Sequence, residues 1–530
     1  MNSVTTPVIN SAQSEISDYL LFSQNRRRLF PRAALIGLMI GLITVAFRFV
    51  LAQGDVIRNA LVVWAHQFPL FGWVFPVGAS AATASLAVWL VRRFAPEAAG
   101  SGIPHLESVL HRYREMRWWQ IVLVKFFGGA LALGGGMALG REGPSVQIAG
   151  AMSDGTARLL KDNTRDRLTL IAAGAGAGLA AAFNAPLAGV MFVLEEIQRD
   201  FRPAVLGAVF VAAAIANIVA RLLYGQQAVF EMPLLQVPVL SALPVFAVVG
   251  VAAGVLGVVF NRGLIATQIW VGGWLERSAL GTAAVVGGAV GLIAWFAPIS
   301  VGGGHALAEA TLTGQVALAA IPMWFALRLG LTLVCYATGA PGGIFLPLLV
   351  LGGLIGLLVG KVANLIVPAI APQPEAFAIV GMAAYFAAIV RAPLTGIVLI
   401  LEMTANFEQL LPLIVACFSA YIVAELMGDM PIYEKLLQID LARSGIHGHA
   451  DVPAPLVVEV EVQPGSVFVG KEVRELGLPA GCLLVRCHFE TREFIPVATT
   501  RILPHMRLTA TISPDSKNGL KALRRGCEQH

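Results

Sequence analysis

Residues 185–195 read APLAGVMFVLE, and residues 392–402 read APLTGIVLILE. The two stretches carry the same Ala, Pro, Leu, Gly, Leu and Glu at matching positions, although they stand 207 residues apart. Most of their other positions exchange one apolar residue for another. A match of this length between distant parts of one chain indicates an internal repeat.

Two further pairs of glycine motifs occur in the same order and at nearly the same distance. GREGP at 140–144 corresponds to GIFLP at 343–347 with an offset of 203, and GSG at 100–102 corresponds to GGG at 302–304 with an offset of 202. Matched hydrophobic segments broken by glycine are typical of transporters that bind substrate at the repeat interface. We therefore expect two repeats of inverted topology, at about residues 33–225 and 239–430.

The composition indicates a polytopic membrane protein with a soluble tail. Hydrophobic residues make up 57% of the chain and charged residues only 13%, with a mean hydropathy of +0.75. Because soluble proteins carry about 25% charged residues, a soluble enzyme is excluded. The last 87 residues nevertheless contain 19 charged side chains, as a soluble domain would. The net charge of +5 is modest, and short basic loops fit membrane orientation better than nucleic-acid binding.

Apolar segments recur along the first 430 residues, several of them unusually long or broken by Gly and Pro. Arg26–Arg28 precede the first segment, which predicts a cytoplasmic N-terminal segment at residues 1–30 and insertion in the inner (cell) membrane. Spans of about twenty residues would give about eleven crossings, and the Gly and Pro interruptions indicate more helices than that. We expect an all-α polytopic protein of short, tilted and broken helices, with apolar segments at 33–52, 71–92, 119–139, 168–196, 204–224, 239–261, 281–297, 318–338, 343–371, 376–402 and 410–427.

Three motifs, at 100–104, 140–144 and 343–347, each place Gly and then Pro at the mouth of an apolar helix. Proline is tolerated in a first helical turn, and glycine lets the backbone approach a ligand closely. The free N–H groups and the positive dipole end of a helix start attract anions. A single motif of this kind would be an ordinary kink, but three of them favour an anion site.

The same residues resemble the CLC family of chloride channels and chloride/proton antiporters. The resemblance rests on Ser101 in GSGIP, Glu142 in GREGP, GIFLP at 343–347 and Tyr433 after Pro431-Ile432, and it extends over about residues 31–440. It implies inverted repeats and a homodimer with one pore in each subunit. Ser101 and Tyr433 further point to chloride as the anion.

By this resemblance, three chloride positions are expected. The central position would use Ser101 and Tyr433 with the amides of Ile344 and Phe345. The outer and inner positions would use main-chain amides of other motif residues, namely Arg141, Glu142, Gly143, Phe345 and Leu346 for the outer one and Gly100 and Ser101 for the inner one.

Two glutamates decide between antiporter and channel. A carboxylate at Glu142 can compete with the anion for its site, and protonation would remove the charge and free the site. The resemblance assigns Glu142 this gating role and makes Glu196 the inner proton-transfer residue, which family channels replace. We therefore expect chloride/proton antiport, with a passive voltage- or pH-gated chloride channel as the alternative. Glu195 can instead form an ordinary i,i+4 pair with Arg199.

Other polar residues of the membrane region have structural interpretations. Lys125 would be a structural charge paired with a carboxylate. Glu402 ends the second repeat as Glu195 ends the first, which favours a helix-end or dimer-region role. His105 and His305 are interpreted as structural polar residues, and no Cys/His spacing predicts a metal site.

The tail is predicted to be a small β/α domain at 456–530, joined by a linker at 441–455. Residues 457–462 alternate as in a strand, and 482–485 form another apolar strand. The tail resembles the TrkA-C (RCK-C) module, which implies a cytoplasmic domain that dimerises or binds an unknown small ligand. It departs from that module at Ala498 and at His505-Met506, where glycine and Gly-Asp are usual.

The sequence therefore predicts a secondary active transporter with chloride and protons as substrates and no cofactor. A membrane-embedded enzyme would need a catalytic constellation, such as a two-histidine zinc motif or an activated serine, and the sequence contains none. If the protein were a membrane sensor that works mainly through its tail, the three anion motifs would have no function.

Overall fold

The computed structural model describes residues 6–199, 203–226, 229–230, 239–443, 456–489, 492–513, 516 and 518–528. The chain forms two compact units, one of Gln24–Asp440 and one of Leu441–His530 with Met1–Ser23. Most of the predicted linker, residues 444–455, lies outside the described residues.

Sixteen helices, α1 to α16, precede the strands of the tail in the described residues. The first of them, α1, begins at Thr6 and continues through the first apolar run. In chain order the helices are α1 Thr6–Ala65, α2 Val74–Phe94, α3 Ile103–Leu110, α4 Trp118–Gly134, α5 Glu142–Leu159, α6 Thr164–Phe183, α7 Pro186–Phe192, α8 Pro203–Tyr224, α9 Leu243–Phe296, α10 His305–Leu312, α11 Ile321–Ala337, α12 Phe345–Ile366, α13 Pro374–Val390, α14 Pro393–Thr404, α15 Leu410–Leu426 and α16 Ile432–Arg443.

The order and lengths of these helices repeat. α3 and α10 both have 8 residues, and each follows a glycine with positive φ, Gly102 at 82° and Gly304 at 91°. α4 and α11 both have 17 residues. In the first repeat α5 packs on α6, and in the second α12 packs on α13. The internal repeat of the sequence is therefore a repeat of structure.

The helices confirm an all-α membrane architecture of more than eleven helices, several of them short. Among the described residues, seven helices are long and apolar enough to cross a membrane, and α4, α13 and α14 are shorter apolar helices. One of the seven, α9, is interrupted at Ser278, with φ −158° and ψ 98°, so it consists of two helices that meet at a kink. The predicted apolar segments at 239–261 and 281–297 lie on either side of this kink.

Two glutamates join the repeats by capping each other's helices. The Glu402 carboxylate accepts hydrogen bonds from the backbone N–H groups of Leu187 and Ala188, at 3.1 and 2.8 Å, in the first turn of α7. The Glu195 carboxylate accepts from the N–H groups of Leu394 and Thr395, at 3.2 and 2.7 Å, in the first turn of α14. A carboxylate at a helix N-terminus accepts hydrogen bonds from the free N–H groups of the first turn. Its negative charge also interacts favourably with the positive end of the helix dipole.

The predicted β/α tail is confirmed as a four-stranded antiparallel sheet with one helix. The strands follow the spatial order β1-β4-β2-β3. Leu508 and Ala510 lie in the core of this unit. The elements are β1 Leu456–Glu461, β2 Cys482–Phe489, β3 Arg492–Phe494, β4 Arg507–Ile512 and α17 Gly519–Cys527.

Two cysteines and one substituted position of the tail have structural roles. Burial raises the pKa of the Cys487 and Cys527 thiols to about 11, so both pack as neutral core residues. His505, which stands where the sequence comparison with the module expects glycine, has a φ of 64° in the left-handed region that favours glycine. A histidine therefore adopts a backbone conformation that glycine would adopt more easily.

The cross-repeat caps predict a stability effect. Replacing Glu402 by Ala leaves the N–H groups of Leu187 and Ala188 without their acceptor, and we expect the free energy of unfolding to fall by about 1–3 kcal/mol. Thermal unfolding of the detergent-solubilised protein would measure this loss. The control is Glu408→Ala at an exposed glutamate. Equal melting temperatures for Glu402→Ala and the unmodified chain would contradict the capping role.

Candidate site at the meeting point of the two repeats

The glycine motifs of the two repeats meet through main-chain hydrogen bonds. The N–H of Gly140 donates to the carbonyl of Gly343 at 2.6 Å, and the N–H of Gly343 donates back to Gly140 at 2.7 Å. The N–H of Gly342 donates to the carbonyl of Gly100 at 3.0 Å. Three motifs that are far apart in sequence are thus brought to one place.

Two glycines of these motifs leave little room for a side chain because the backbones approach closely. A Cβ on Gly143 would lie 2.9 Å from the Ser101 carbonyl oxygen and 3.0 Å from the Ser101 Cβ. A Cβ on Gly343 would lie 3.1 Å from the Gly143 nitrogen. The close packing places the starts of α3, α5 and α12 around one buried region, with their first-turn N–H groups available to an anion.

Ser101 and Tyr433 bring two buried hydroxyl groups to this region. The side chain of Ser101 is 1% exposed, and its Oγ accepts a hydrogen bond from the Ile103 N–H at 3.3 Å. Tyr433, near the start of α16, is fully buried, and its hydroxyl has no hydrogen-bond partner among the described residues. An unpartnered buried hydroxyl is a donor in need of an acceptor.

Glu142 is buried at the start of α5 and lies against the start of α12. A Cβ built on Gly140 would be 2.5 Å from Glu142 Oε2 and 3.1 Å from the Leu346 nitrogen, so the carboxylate and that N–H are close neighbours. Neither carboxylate oxygen forms a full hydrogen bond with a described donor. The nearest charge is Arg141, whose Nε lies 3.8 Å from Oε1.

A small cavity lies beside Arg141 and Leu346, the neighbours of this carboxylate. It has a volume of about 90 Å³ and is also lined by His305 and Asp55 among others. A larger cavity of about 430 Å³ shares Asp55 and His305 with it and contains Arg58. The two cavities therefore adjoin each other next to the neighbours of Glu142.

Two buried cations hold the glycine loops in place, one in each repeat. Lys125 Nζ donates to the carbonyls of Ala98 and Gly100, at 2.9 and 2.6 Å. Arg328, 203 residues later, donates to the carbonyls of Ser300, Gly302 and Gly303 at 2.6–2.9 Å. The prediction that Lys125 pairs with a carboxylate is therefore wrong. Its partners are loop carbonyls, which could not be located from sequence because the loop had no predicted conformation.

Glu196 lies away from the glycine loops, in a single π-helical turn at Val193–Ile197 that follows α7. It is buried and interacts electrostatically with Glu107, and both carboxyls also act on the Tyr433 hydroxyl. Isolated π-helical turns occur often at functional sites. Glu195 caps α14 and Arg199 pairs with Glu434 at 3.5 Å, so the expected Glu195–Arg199 pair is not formed.

The structure adds two residues to those that the sequence singled out for transport. Glu107 joins Glu196, and the hydroxyl of Tyr336, at the end of α11, lies beside the backbone of Gly100. Tyr336 carried one signal that could have found it. A tyrosine in an apolar helix needs a partner for its hydroxyl when it is buried.

Comparisons with known proteins agree with this arrangement. The voltage gated chloride channel family matches residues 82–425, and the TrkA-C domain matches residues 457–523. The H+/Cl− exchange transporter ClcA of Vibrio parahaemolyticus is 46% identical over 373 residues, which cover 69% of this chain and 79% of that protein. ClcA of Vibrio vulnificus is 43% identical over 447 residues, covering 82% and 94%.

A solved structure shows the same fold. It is a slow cyanobacterial Cl−/H+ antiporter, 34% identical, with a TM-score of 0.76, and the alignment covers 79% of this chain and 99% of that one. The match to the channel family extends over more than half of the chain, and the relatives are named as transporters rather than enzymes. The chain therefore belongs to the voltage-gated chloride channel (CLC) family and carries a TrkA-C domain C-terminal to its membrane unit.

Proposed function

We propose that this protein exchanges chloride for protons across a membrane. The observation that carries the proposal is the Glu142 carboxylate, which lies beside the Leu346 N–H at the start of α12. In this position a side-chain anion occupies the place that the helix starts offer to a free anion. The names of the similar proteins, H+/Cl− exchange transporter and Cl−/H+ antiporter, support the same activity.

Chloride would bind along the meeting point of the repeats. We assign the central position to the hydroxyls of Ser101 and Tyr433 with the amides of Ile344 and Phe345. The unpartnered Tyr433 hydroxyl supports this assignment because an anion would supply its missing acceptor. The outer position would use amides of Arg141, Glu142, Gly143, Phe345 and Leu346, and the inner one those of Gly100 and Ser101.

Exchange follows from competition at the outer position. When Glu142 is ionised it takes the position and excludes chloride, and when a proton neutralises it the carboxyl leaves and chloride enters. Binding of a proton and departure of the carboxylate are thereby one event. The proton is then handed toward the other side of the membrane through Glu196, with Glu107 and Tyr433 as neighbouring groups.

The proposal extends to the assembly of the protein in the membrane. The exposed apolar side chains of α7, α8, α14 and α15 fit a homodimer in the inner membrane, and among them are Leu187, Phe210, Leu394 and Phe418. Both termini would be cytoplasmic, and the domains would be a segment at 1–30, the membrane domain at 31–440, a linker at 441–455 and the tail at 456–530. The tail would dimerise or bind a small ligand, and transport would need no cofactor.

An antiporter and a channel differ in whether a chloride gradient drives protons across the membrane. We expect an imposed chloride gradient to drive protons uphill in proteoliposomes that start without a proton gradient, with valinomycin and K+ holding the voltage near zero. A pH-sensitive dye inside the vesicles reports the proton movement. Chloride flux without proton movement would instead support the alternative, a passive chloride channel on the same scaffold.

Replacing Glu196 by Gln tests the proton route. The amide keeps the size of the side chain but carries no exchangeable carboxyl proton, so chloride flux should persist while proton movement falls at least about tenfold. The matched control is Glu309→Gln, at an exposed glutamate of α10. Normal proton pumping by Glu196→Gln would show that the assigned route is wrong, even if chloride transport is intact.

Replacing Glu142 by Ala tests the competition. Without the carboxylate nothing excludes chloride from the outer position at high pH, so chloride flux should lose its dependence on pH between about 4 and 8. Proton movement should disappear at the same time. Flux measured at several pH values in proteoliposomes gives both results. A pH profile that is unchanged from that of the original chain would contradict the gating role.

A further inference from the structure

A cavity lined by apolar side chains lies between the two segments of the kinked helix α9 and the neighbouring helix α11. Its volume is about 520 Å³, which is within the range of about 300–1,000 Å³ that is typical of ligand sites. Trp270, Trp274 and Val285 line it and are 61%, 50% and 64% exposed, whereas Val290 and Cys335, which also line it, are buried. The cavity is therefore a groove with an exposed rim and a buried floor, and we call it the α9–α11 groove.

One glycine of α11 keeps this groove wide. A Cβ built on Gly330 would have no atom within 4 Å. Two glycines of α9 differ, because a Cβ on Gly287 or Gly291 would collide with the carbonyl oxygens of Ser80 and Pro76 in α2. Glycine weakens a helix relative to alanine. Close packing accounts for this cost at Gly287 and Gly291 but not at Gly330, where the missing side chain leaves space for another molecule.

The length of the α9–α11 groove matches one leaflet of a bilayer. The lining residues of the second segment of α9 extend from Thr282 to Ile293. This stretch is about 16 Å long at the helical rise of about 1.5 Å per residue. One leaflet contributes half of the roughly 30 Å hydrocarbon core of a membrane. Both helices are long and apolar enough to cross a membrane, so the groove has the depth and the surface that fit one acyl chain.

The end of the groove near the kink carries aromatic rings and a positive charge. Tryptophan is enriched where a membrane meets water, and both Trp270 and Trp274 line this end. Arg277 follows them by seven and three residues, so helical periodicity places it on the same face, and it is exposed. Glu276 lies on the opposite face of the helix by the same periodicity. The groove therefore has a basic residue, and not an acidic one, beside its aromatic end.

We propose that the α9–α11 groove binds a phospholipid with an acidic headgroup. Its acyl chain lies beside Gly330, and its phosphate lies near Arg277. The apolar lining excludes a polar solute, whereas a basic side chain at the membrane surface attracts anionic lipids. The homodimer proposed above uses α7, α8, α14 and α15, which leaves this side of the membrane unit open to lipid. A lipid bound here contacts both segments of α9 as well as α11.

The test is lipid binding by the full-length protein in detergent, measured by native mass spectrometry. The probes are phosphatidylglycerol and phosphatidylcholine with identical acyl chains. We expect one phosphatidylglycerol per chain to bind about fivefold more tightly than phosphatidylcholine, as one basic residue near the headgroup would give. Gly330→Phe places a ring in the groove and should weaken phosphatidylglycerol binding at least about tenfold. Arg277→Gln should remove the preference for the acidic lipid.

The helix α2 supplies a matched control for each variant. Gly78 is an exposed glycine of α2, and a Cβ built on it would likewise have no atom within 4 Å, so Gly78→Phe adds the same ring outside the groove. Arg92 is an exposed arginine in the last turn of α2, so Arg92→Gln removes the same charge at another helix end. Neither control should change phosphatidylglycerol binding.

The possible results separate a lipid site from its alternatives. Unchanged phosphatidylglycerol binding by Gly330→Phe, or an equal loss in Gly78→Phe, would overturn the site. Equal binding of the two lipids by the original chain, or a preference that survives in Arg277→Gln, would overturn the acidic headgroup. If Gly330→Phe changed the number of chains in the particle rather than lipid binding, the groove would be an interface with a second copy, and the proposal would be wrong.

Discussion

The pairing of Gly140 with Gly343 is the contact on which the rest of the site depends. Two reciprocal main-chain hydrogen bonds satisfy these residues with each other. The first-turn N–H groups of the helices that follow are left without backbone partners, as at every helix start. The region is buried, and groups in such surroundings must find an acceptor. An anion is the simplest acceptor that several converging donors can share. The fold therefore favours the binding of an anion at this place.

The buried basic side chains of Lys125 and Arg328 help the region at the helix starts to remain rich in hydrogen-bond donors. Each glycine loop also carries carbonyl groups, and carbonyls that faced the site would repel an anion. Lys125 and Arg328 bind these carbonyls and occupy them. Their described partners are neutral carbonyls, so neither side chain is seen paired with a carboxylate among the described residues. Glu142 is then the acidic group at the helix starts, and its protonation changes the balance of charge there.

Much of the fold and part of the site could be predicted from the sequence, because these features depend on local sequence patterns. The repeats, the helix starts at Gly-Pro motifs and the first tail strand depend on neighbouring residues and on apolar periodicity. What could not be predicted depends on partners that are about 200 residues away. Glu195 has Arg199 four residues later as a plausible partner, yet it caps a helix of the other repeat. The carbonyl partners of Lys125 and the approach of the Tyr336 hydroxyl to Gly100 are likewise visible only when the repeats are packed together.

The repeat offers a way to separate structural charges from functional ones. Side chains that hold the scaffold are present in both halves, as Lys125 and Arg328 are, and as Glu195 and Glu402 are. Glu142 corresponds by the same offset to Phe345, which is buried against the rings of Phe183 and Phe386.

Glu196 is unmatched in the same way, because it corresponds to Met403 at the offset of 207. A symmetric scaffold binds an anion equally well from either half, and it contains nothing that links the anion to a proton. Coupling requires a titratable group in one half where the other half is apolar. Glu142 and Glu196 meet this condition.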